Sequence, residues 1–154
     1  MKMNIATIKD TDNIYKVFQK FPSVFPHIRK TYIQSMIDKQ QCIYDSGIII
    51  IFNQYKKRNK IGTVVAPAGA YTIKQIVNAE PGKNDASGVL NAFLSYATAS
   101  DIYLSVREEN TRAIAFYKKN DFEKVGTISW SKGNIPGIVM YHQNNSSLNE
   151  IINI

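Results

Sequence analysis

The chain has 154 residues, 44% of them apolar and 20% charged, which predicts a single globular domain and excludes disorder as the default. With 19 basic against 12 acidic residues, its formal charge of +7 either attracts acidic partners or serves solubility alone. The longest apolar candidate, Gly47 to Phe52, is strand length, so no membrane span is expected.

Met1 to Asp10 has no charged segment followed by a long apolar core, so no signal peptide is read. Asn4 to Ile8 alternates apolar and polar residues and predicts a short strand. Asp10-Thr11-Asp12-Asn13 offers N-cap oxygens, and Ile14, Val17, Phe18 and Phe21 follow at helical spacing, so a first helix runs to about Lys20. Pro22 stops it. Pro26 suits the first turn of a second helix, whose apolar stripe is Ile28, Tyr32, Ile33, Met36 and Ile37. Cys42 is the sole cysteine, which excludes an intramolecular disulfide and fits a reducing, cytoplasmic setting.

Residues 42–44 and 48–52 flank Asp45-Ser46-Gly47 as strand, turn and strand. Lys56 to Lys60 reads as a charged turn and Ile61 to Val65 as one strand, ended at Ala66-Pro67-Ala68-Gly69. Tyr71 to Val77 is the next strand and Gly82 to Asp85 a loop. Val89, Leu90, Phe93, Leu94 and Ala97 mark a third helix. Ile102 to Val106 alternates as a strand, and Asn110 to Lys119 forms a short fourth helix. Val125 to Trp130 and Ile138 to His142 close the pattern as two strands around Lys132 to Gly137. Such an order predicts an α/β (α+β) chain with a mixed, mostly antiparallel central sheet and four helices. The domain is expected over residues 1–143, with a polar tail over 144–154.

The stretch Ile102 to Phe122, IYLSVREENTRAIAFYKKNDF, resembles the strand-and-helix signature of the GNAT superfamily, the acyl-CoA-dependent N-acyltransferases. The family pattern, L-x-V, then N-x-x-A-x-x-F-Y, then a basic turn and G-F, meets Leu104-Ser105-Val106, Asn110, Ala113, Phe116-Tyr117 and Phe122. Asp121 replaces the usual glycine. A second motif, Q/R-x-x-G-x-G/A, is matched only in part between the strand at Tyr71 to Val77 and the third helix. Pro81 stands at the Q/R position, Asn84 at the first glycine and Ala86 at the last small residue, with Gly82-Lys83 inside the loop.

The physical demand behind that motif is several backbone N–H groups aimed at one point beside the positive end of a helix dipole. Gly82, Lys83, Asn84, Asp85, Ala86, Ser87 and Gly88 can all donate, Lys83 adds charge and Ser87 a hydroxyl. Asp85 opposes an anion unless it points away as an N-cap.

The resemblance implies acetyl-CoA or another acyl-CoA as cofactor. It also implies a thiolate-serving phenol at Tyr117, with Gln75, Ile76, Val77, Asn110, Ala113 and Phe116 around the pantetheine arm. Glu80 is the nearest carboxylate for a base acting through water, and no Cys, His and Asp cluster has metal-ligand spacing. The acceptor side implied by this fold holds Phe21, Phe25, His27, Arg29, Trp130 and Lys132, which leaves the amine unnamed. Two alternatives stay open beside N-acyl transfer. One is a relative that modifies nucleic-acid bases; the other is a CoA-binding sensor without turnover, which Pro81 and Asp85 favour. The basic residues are dispersed over Lys56-Lys57-Arg58, Lys118-Lys119 and Lys132, so no dedicated nucleic-acid arm is read. Monomer and homodimer are both open.

Overall fold

The computed structural model describes residues 3–97 and 100–143, so the tail expected over 144–154 lies outside the described residues. Its elements are α1 (Thr11–Gln19), α2 (Lys30–Asp38), β1 (Cys42–Asp45), β2 (Ile48–Gln54), β3 (Asn59–Ile61), β4 (Val64–Ala66), β5 (Tyr71–Asn78), α3 (Ala86–Tyr96), β6 (Ile102–Arg107), α4 (Thr111–Lys119), β7 (Glu123–Trp130) and β8 (Ile135–His142). A six-stranded sheet is ordered β1-β2-β5-β6-β8-β7, and β3 and β4 form a separate two-stranded ribbon. Within the large sheet β1/β2, β6/β8 and β7/β8 pair antiparallel and β5/β6 parallel. The expected mixed, mostly antiparallel sheet and four α-helices are thus present.

The chain groups into two compact units, residues 1–52 with 74–93, and residues 53–73 with 94–154. In the first unit, β1 and β2 form a hairpin closed by Ser46 (φ 50°) and Gly47 (φ 78°), the doubly left-handed turn that matches strand twist. Ile48 to Phe52 is buried without a break, so this strand is covered on both faces. Ile49 and Ile51 pack with Ile14, Val17, Phe18, Ile33, Met36 and Ile37 from α1 and α2. Phe52 meets Phe93 of α3 at 4.8 Å between ring centroids. Each such buried side chain contributes about 1.5–3 kcal/mol of transfer free energy.

In the second unit, the start of β5 pairs with β6 over Tyr71↔Ile102, Thr72↔Tyr103 and Ile73↔Leu104. β6 pairs with β8 along its whole length. The β3–β4 ribbon docks on β7 through Thr63, whose N–H donates to the Thr127 carbonyl and whose Oγ1 accepts from the Thr127 N–H, both at 2.9 Å. Ile61, Ala66, Ala70, Tyr103 and Val139 form this unit's core, with Tyr55, Val64, Ile128 and Tyr141 against it.

Several element boundaries differ from the sequence expectation. No strand forms over residues 4–8: Ile5 makes a single bridge to Ile43, and Ile8–Asp10 is a 3₁₀ turn. The cause is local, because the Asp10 carboxylate accepts the Thr7 N–H at 2.8 Å and curls the chain. Pro26 lies in a turn rather than in a helix, and α2 starts only after Arg29, which is extended at φ −109°, ψ 154°. Ile61 to Val65 is not one strand but a hairpin, reversed at Gly62 (φ 57°). β7 and β8 both begin earlier than expected, so the connecting turn shrinks to residues 131–134.

Candidate cofactor and acyl-transfer residues

The first unit holds β5 from Lys74 onward, the loop after it and the N-terminus of α3. Gln75 and Ile76 are half-buried and Val77 is buried. The Gln75 side-chain oxygen accepts from the Tyr32 hydroxyl at 2.8 Å, so part of its capacity is spent on α2. Desolvation, partly offset by that bond, raises the Tyr32 pKa.

Beyond the strand, Asn78 organises the loop. Its side-chain oxygen accepts from the Glu80 N–H at 2.9 Å and from the Asn84 amide at 3.0 Å. Lys83 N–H closes a turn on the Glu80 carbonyl at 3.0 Å, with Pro81 second and Gly82 third at φ +87°. That is type II geometry, which suits proline and glycine in those two places. Pro81, the residue that breaks the sequence motif, is therefore well placed for the turn. Asn78 was missed in the sequence; its Asn-x-Glu spacing is the available signal for a side chain bonding two residues ahead.

Asp85 is the N-cap of α3. Its Oδ1 accepts the Gly88 N–H at 2.9 Å. Gly88 has a structural reason to be glycine, since a Cβ there would meet the Asp85 carboxylate. The N–H groups of Lys83, Ala86 and Gly88 already have partners inside the loop, so fewer donors face outward than the sequence suggested. Ala86 and Ser87 are half-buried, as is Asn84. Two cations flank the loop: Lys83, which reaches the Glu80 carboxylate at 3.7 Å, and Lys20, whose Nζ lies 3.5 Å from the Ala79 carbonyl. Lys20 sits just past α1 and has no sequence signal tying it to residue 79.

A helix N-terminus with two nearby lysines and small residues at 86–88 fits an anion such as a pyrophosphate, with the Asp85 charge opposing it. Glu80, the expected base, is exposed and paired with Lys83. His27 and Arg29 lie in this unit too, both exposed in the turn before α2.

The second unit holds the α4 signature. Asn110 is not on the helix but caps it, its Oδ1 accepting the Ala113 N–H at 3.1 Å. Ala113 and Phe116 are half-buried. Tyr117 is buried at 7% exposure, and its ring lies 5.5 Å from Phe116 and 5.7 Å from Phe122. Burial alone pushes the Tyr117 phenol well above its ordinary value. No hydrogen bond engages that hydroxyl among the described residues. The phenol is accordingly protonated throughout the neutral range and is a donor without a protein acceptor.

Asp121, where the signature has glycine, takes φ 68°, the left-handed conformation glycine adopts freely. The substitution thus retains the backbone turn at some cost. Trp130 ends β7 and packs over Gly137 of its own hairpin, where a Cβ would meet its ring. Lys132 is exposed in the following turn at φ 56°. Among the described residues no His, Cys, Asp and Glu group is arranged to hold a metal, and no helix is long and apolar enough to cross a membrane.

No protein-family model and no curated protein matches the chain. Solved structures do. An acetyltransferase of the GNAT family from Bacillus cereus ATCC 10987 aligns over 93% of this chain and 96% of its own, at 18% identity and a TM-score of 0.66. The ribosomal-protein-S18-alanine N-acetyltransferase from Escherichia coli aligns over 94% of both chains, at 14% identity and 0.65. Arabidopsis thaliana NAA60, solved with acetyl-CoA, aligns over 92% and 98%, at 12% identity and 0.64. Over nearly its whole length, then, the chain carries the fold of the GNAT superfamily.

Proposed function

We propose that this chain is an N-acyltransferase that moves an acetyl or other acyl group from acyl-CoA to an amine, both bound at once. The observation that carries this reading is the end-to-end likeness to acetyltransferase structures, one of them holding acetyl-CoA. Over residues 1–143 we read a single acyltransferase domain.

Acyl-CoA, when bound, supplies an activated thioester. The loop from Gly82 to Ser87, with Lys83 and Lys20, would hold the pyrophosphate at the α3 N-terminus. Backbone groups of Gln75, Ile76 and Val77 in the first unit would hold the pantetheine amides, and in the second unit the family signature makes Asn110, Ala113 and Phe116 our candidates for that arm. Glu80 accepts the amine proton through water. Candidates for the acceptor side are His27 and Arg29 in the first unit and Trp130 and Lys132 in the second.

Tyr117 serves the departing sulfur, and the magnitudes define how. A phenol near 10 is already a weaker acid than an alkyl thiol near 8.5, a difference of about 2 kcal/mol, and burial widens it. Full proton transfer to the thiolate is therefore uphill. The hydroxyl would instead donate a charge-assisted hydrogen bond to the leaving sulfur of a bound acyl-CoA.

One observation favours a second reading, a CoA-binding sensor without turnover: the Asp85 carboxylate occupies the Gly88 N–H at the α3 N-terminus, the helix end proposed for the pyrophosphate. Incubation with acetyl-CoA and a panel of amines, read by thiol release, tests both. Amine-dependent release supports transfer. A CoA-induced rise in melting temperature with no release supports the sensor, and neither response refutes both.

A further inference from the structure

Residues 55–58 join β2 to β3, and Lys56, Lys57 and Arg58 there, with Lys60 in β3, put four cations into five positions. All four are exposed, and no carboxylate pairs with any of them among the described residues. Residues 53–73 and 94–154 together hold ten basic and six acidic side chains, so these four are the whole surplus of their unit. Read along the sequence the cations looked dispersed; by structural unit they concentrate in one loop.

The loop is firmly footed. Tyr55 N–H donates to the Ala70 carbonyl at 2.9 Å, Gly69 N–H to the Tyr55 carbonyl at 2.8 Å, and the Gln54 amide to the Gly69 carbonyl at 3.2 Å. On its far side Asn59 and Lys60 are held in the β3–β4 ladder opposite Ala66 and Val65. Between these feet the loop encloses an open concavity lined by residues 53–59, where amide side chains stand among the cations. Anchoring lowers the ordering cost that a flexible basic tail meets on binding.

We propose that this loop is a docking surface for the phosphate backbone of nucleic acid, bound without base specificity. Phosphates ask only for cations and amide donors, which is the inventory here. A docked acidic peptide would in addition use a strand edge or apolar pockets. The strand edge beside the loop is only the three-residue β3, and the lining offers no apolar pocket, because its one carbon-rich side chain, Tyr55, packs into the unit's core. The same fact removes an outward aromatic platform for stacking, so base preference is not expected. None of these residues is assigned to acyl transfer, and the proposal stands apart from that reading.

The test is fluorescence anisotropy with a labelled 20-nucleotide RNA, a DNA of the same sequence and a labelled polyglutamate, titrated from 50 to 200 mM salt. Three proteins are compared. One is wild type; one carries Lys56→Ala, Lys57→Ala, Arg58→Ala and Lys60→Ala. The control removes equal charge elsewhere, through Lys9→Ala, Lys16→Ala, Lys39→Ala and Lys124→Ala. Four phosphate contacts predict a log–log salt slope of roughly −3 and a loss of about 50-fold over that range. The loop variant should lose at least about tenfold in affinity and flatten the slope toward zero. The control should keep its affinity within about threefold, and RNA and DNA should bind alike. Equal losses in both variants would overturn the proposal in favour of unspecific charge. Tighter binding of polyglutamate would overturn it in favour of an acidic protein partner, and absence of nucleic-acid binding at 50 mM salt would overturn it outright.

Discussion

Replacing Asp85 by Asn separates two roles that one carboxylate plays at the α3 N-terminus. Asn caps a helix about as well as Asp and has nearly the same shape, so the bond to the Gly88 N–H at 2.9 Å can persist while the charge goes. Losing the attraction between that charge and the helix dipole costs about 0.3–1 kcal/mol of stability in the free protein. The same charge repels any pyrophosphate at this helix end. Two unit charges 4 Å apart interact by about 1 kcal/mol in water and about 4 kcal/mol at an effective dielectric near 20. Asp85 is exposed, so the screened end of that range applies. Removing it should tighten CoA by about 1 kcal/mol, roughly 5-fold. The free variant should therefore melt slightly lower while binding CoA more tightly, and the gain should shrink as salt is raised. Isothermal titration with CoA at low and high salt, beside thermal melts of the free protein, reads both signs. Unchanged or weaker CoA binding in Asp85→Asn would refute placing the pyrophosphate at the α3 N-terminus.

Tyr117→Phe should lower turnover by about 10²–10³-fold, the range for loss of one hydrogen-bond donor to a developing negative charge. Because the Tyr117 hydroxyl has no protein partner among the described residues, melting temperature and CoA affinity should barely move. A fully active variant would remove Tyr117 from the mechanism. Glu80→Gln should depress turnover at unchanged melting temperature if Glu80 takes the amine proton through water; unchanged turnover would assign the proton elsewhere. Cys42 is fully buried and burial pushes its thiol up to about 12, so iodoacetamide should label native protein negligibly at pH 8 and denatured protein readily. An unfolded thiol ionises near 9 while the folded one keeps its proton to about 12, so this group's contribution to stability is intact below 9 and declines as pH rises through that window. Labelling at equal rates in both states would contradict that burial.

The fold was legible where periodicity was long or turn chemistry strong. Ile14, Val17 and Phe18 gave α1, and the Ser46-Gly47 reversal between β-branched runs gave the first hairpin. Four alternating residues at 4–8 were too few to outweigh the Thr7–Asp10 capping interaction. At Gly62 a single left-handed residue turned one apparent strand into two. The α4 signature was legible because spacing fixes its face, yet the cap role of Asn110 draws on a backbone bond that spacing does not display. The organising side chains of the loop, Asn78 and Lys20, were not legible. Lys20 reaches Ala79 across 59 positions of sequence, and only tertiary packing creates such a pair.

The central claim is tested most directly by incubating the protein with isotope-labelled acetyl-CoA and a mixed set of peptide, polyamine and small aromatic amines, then weighing the amines by mass spectrometry. Acyl transfer predicts label in an amide on at least one amine, in step with CoA release, and its loss in Tyr117→Phe at unchanged melting temperature. Label that stays in acetyl-CoA or appears only as free acetate, with CoA binding confirmed in the same sample, would contradict N-acyl transfer.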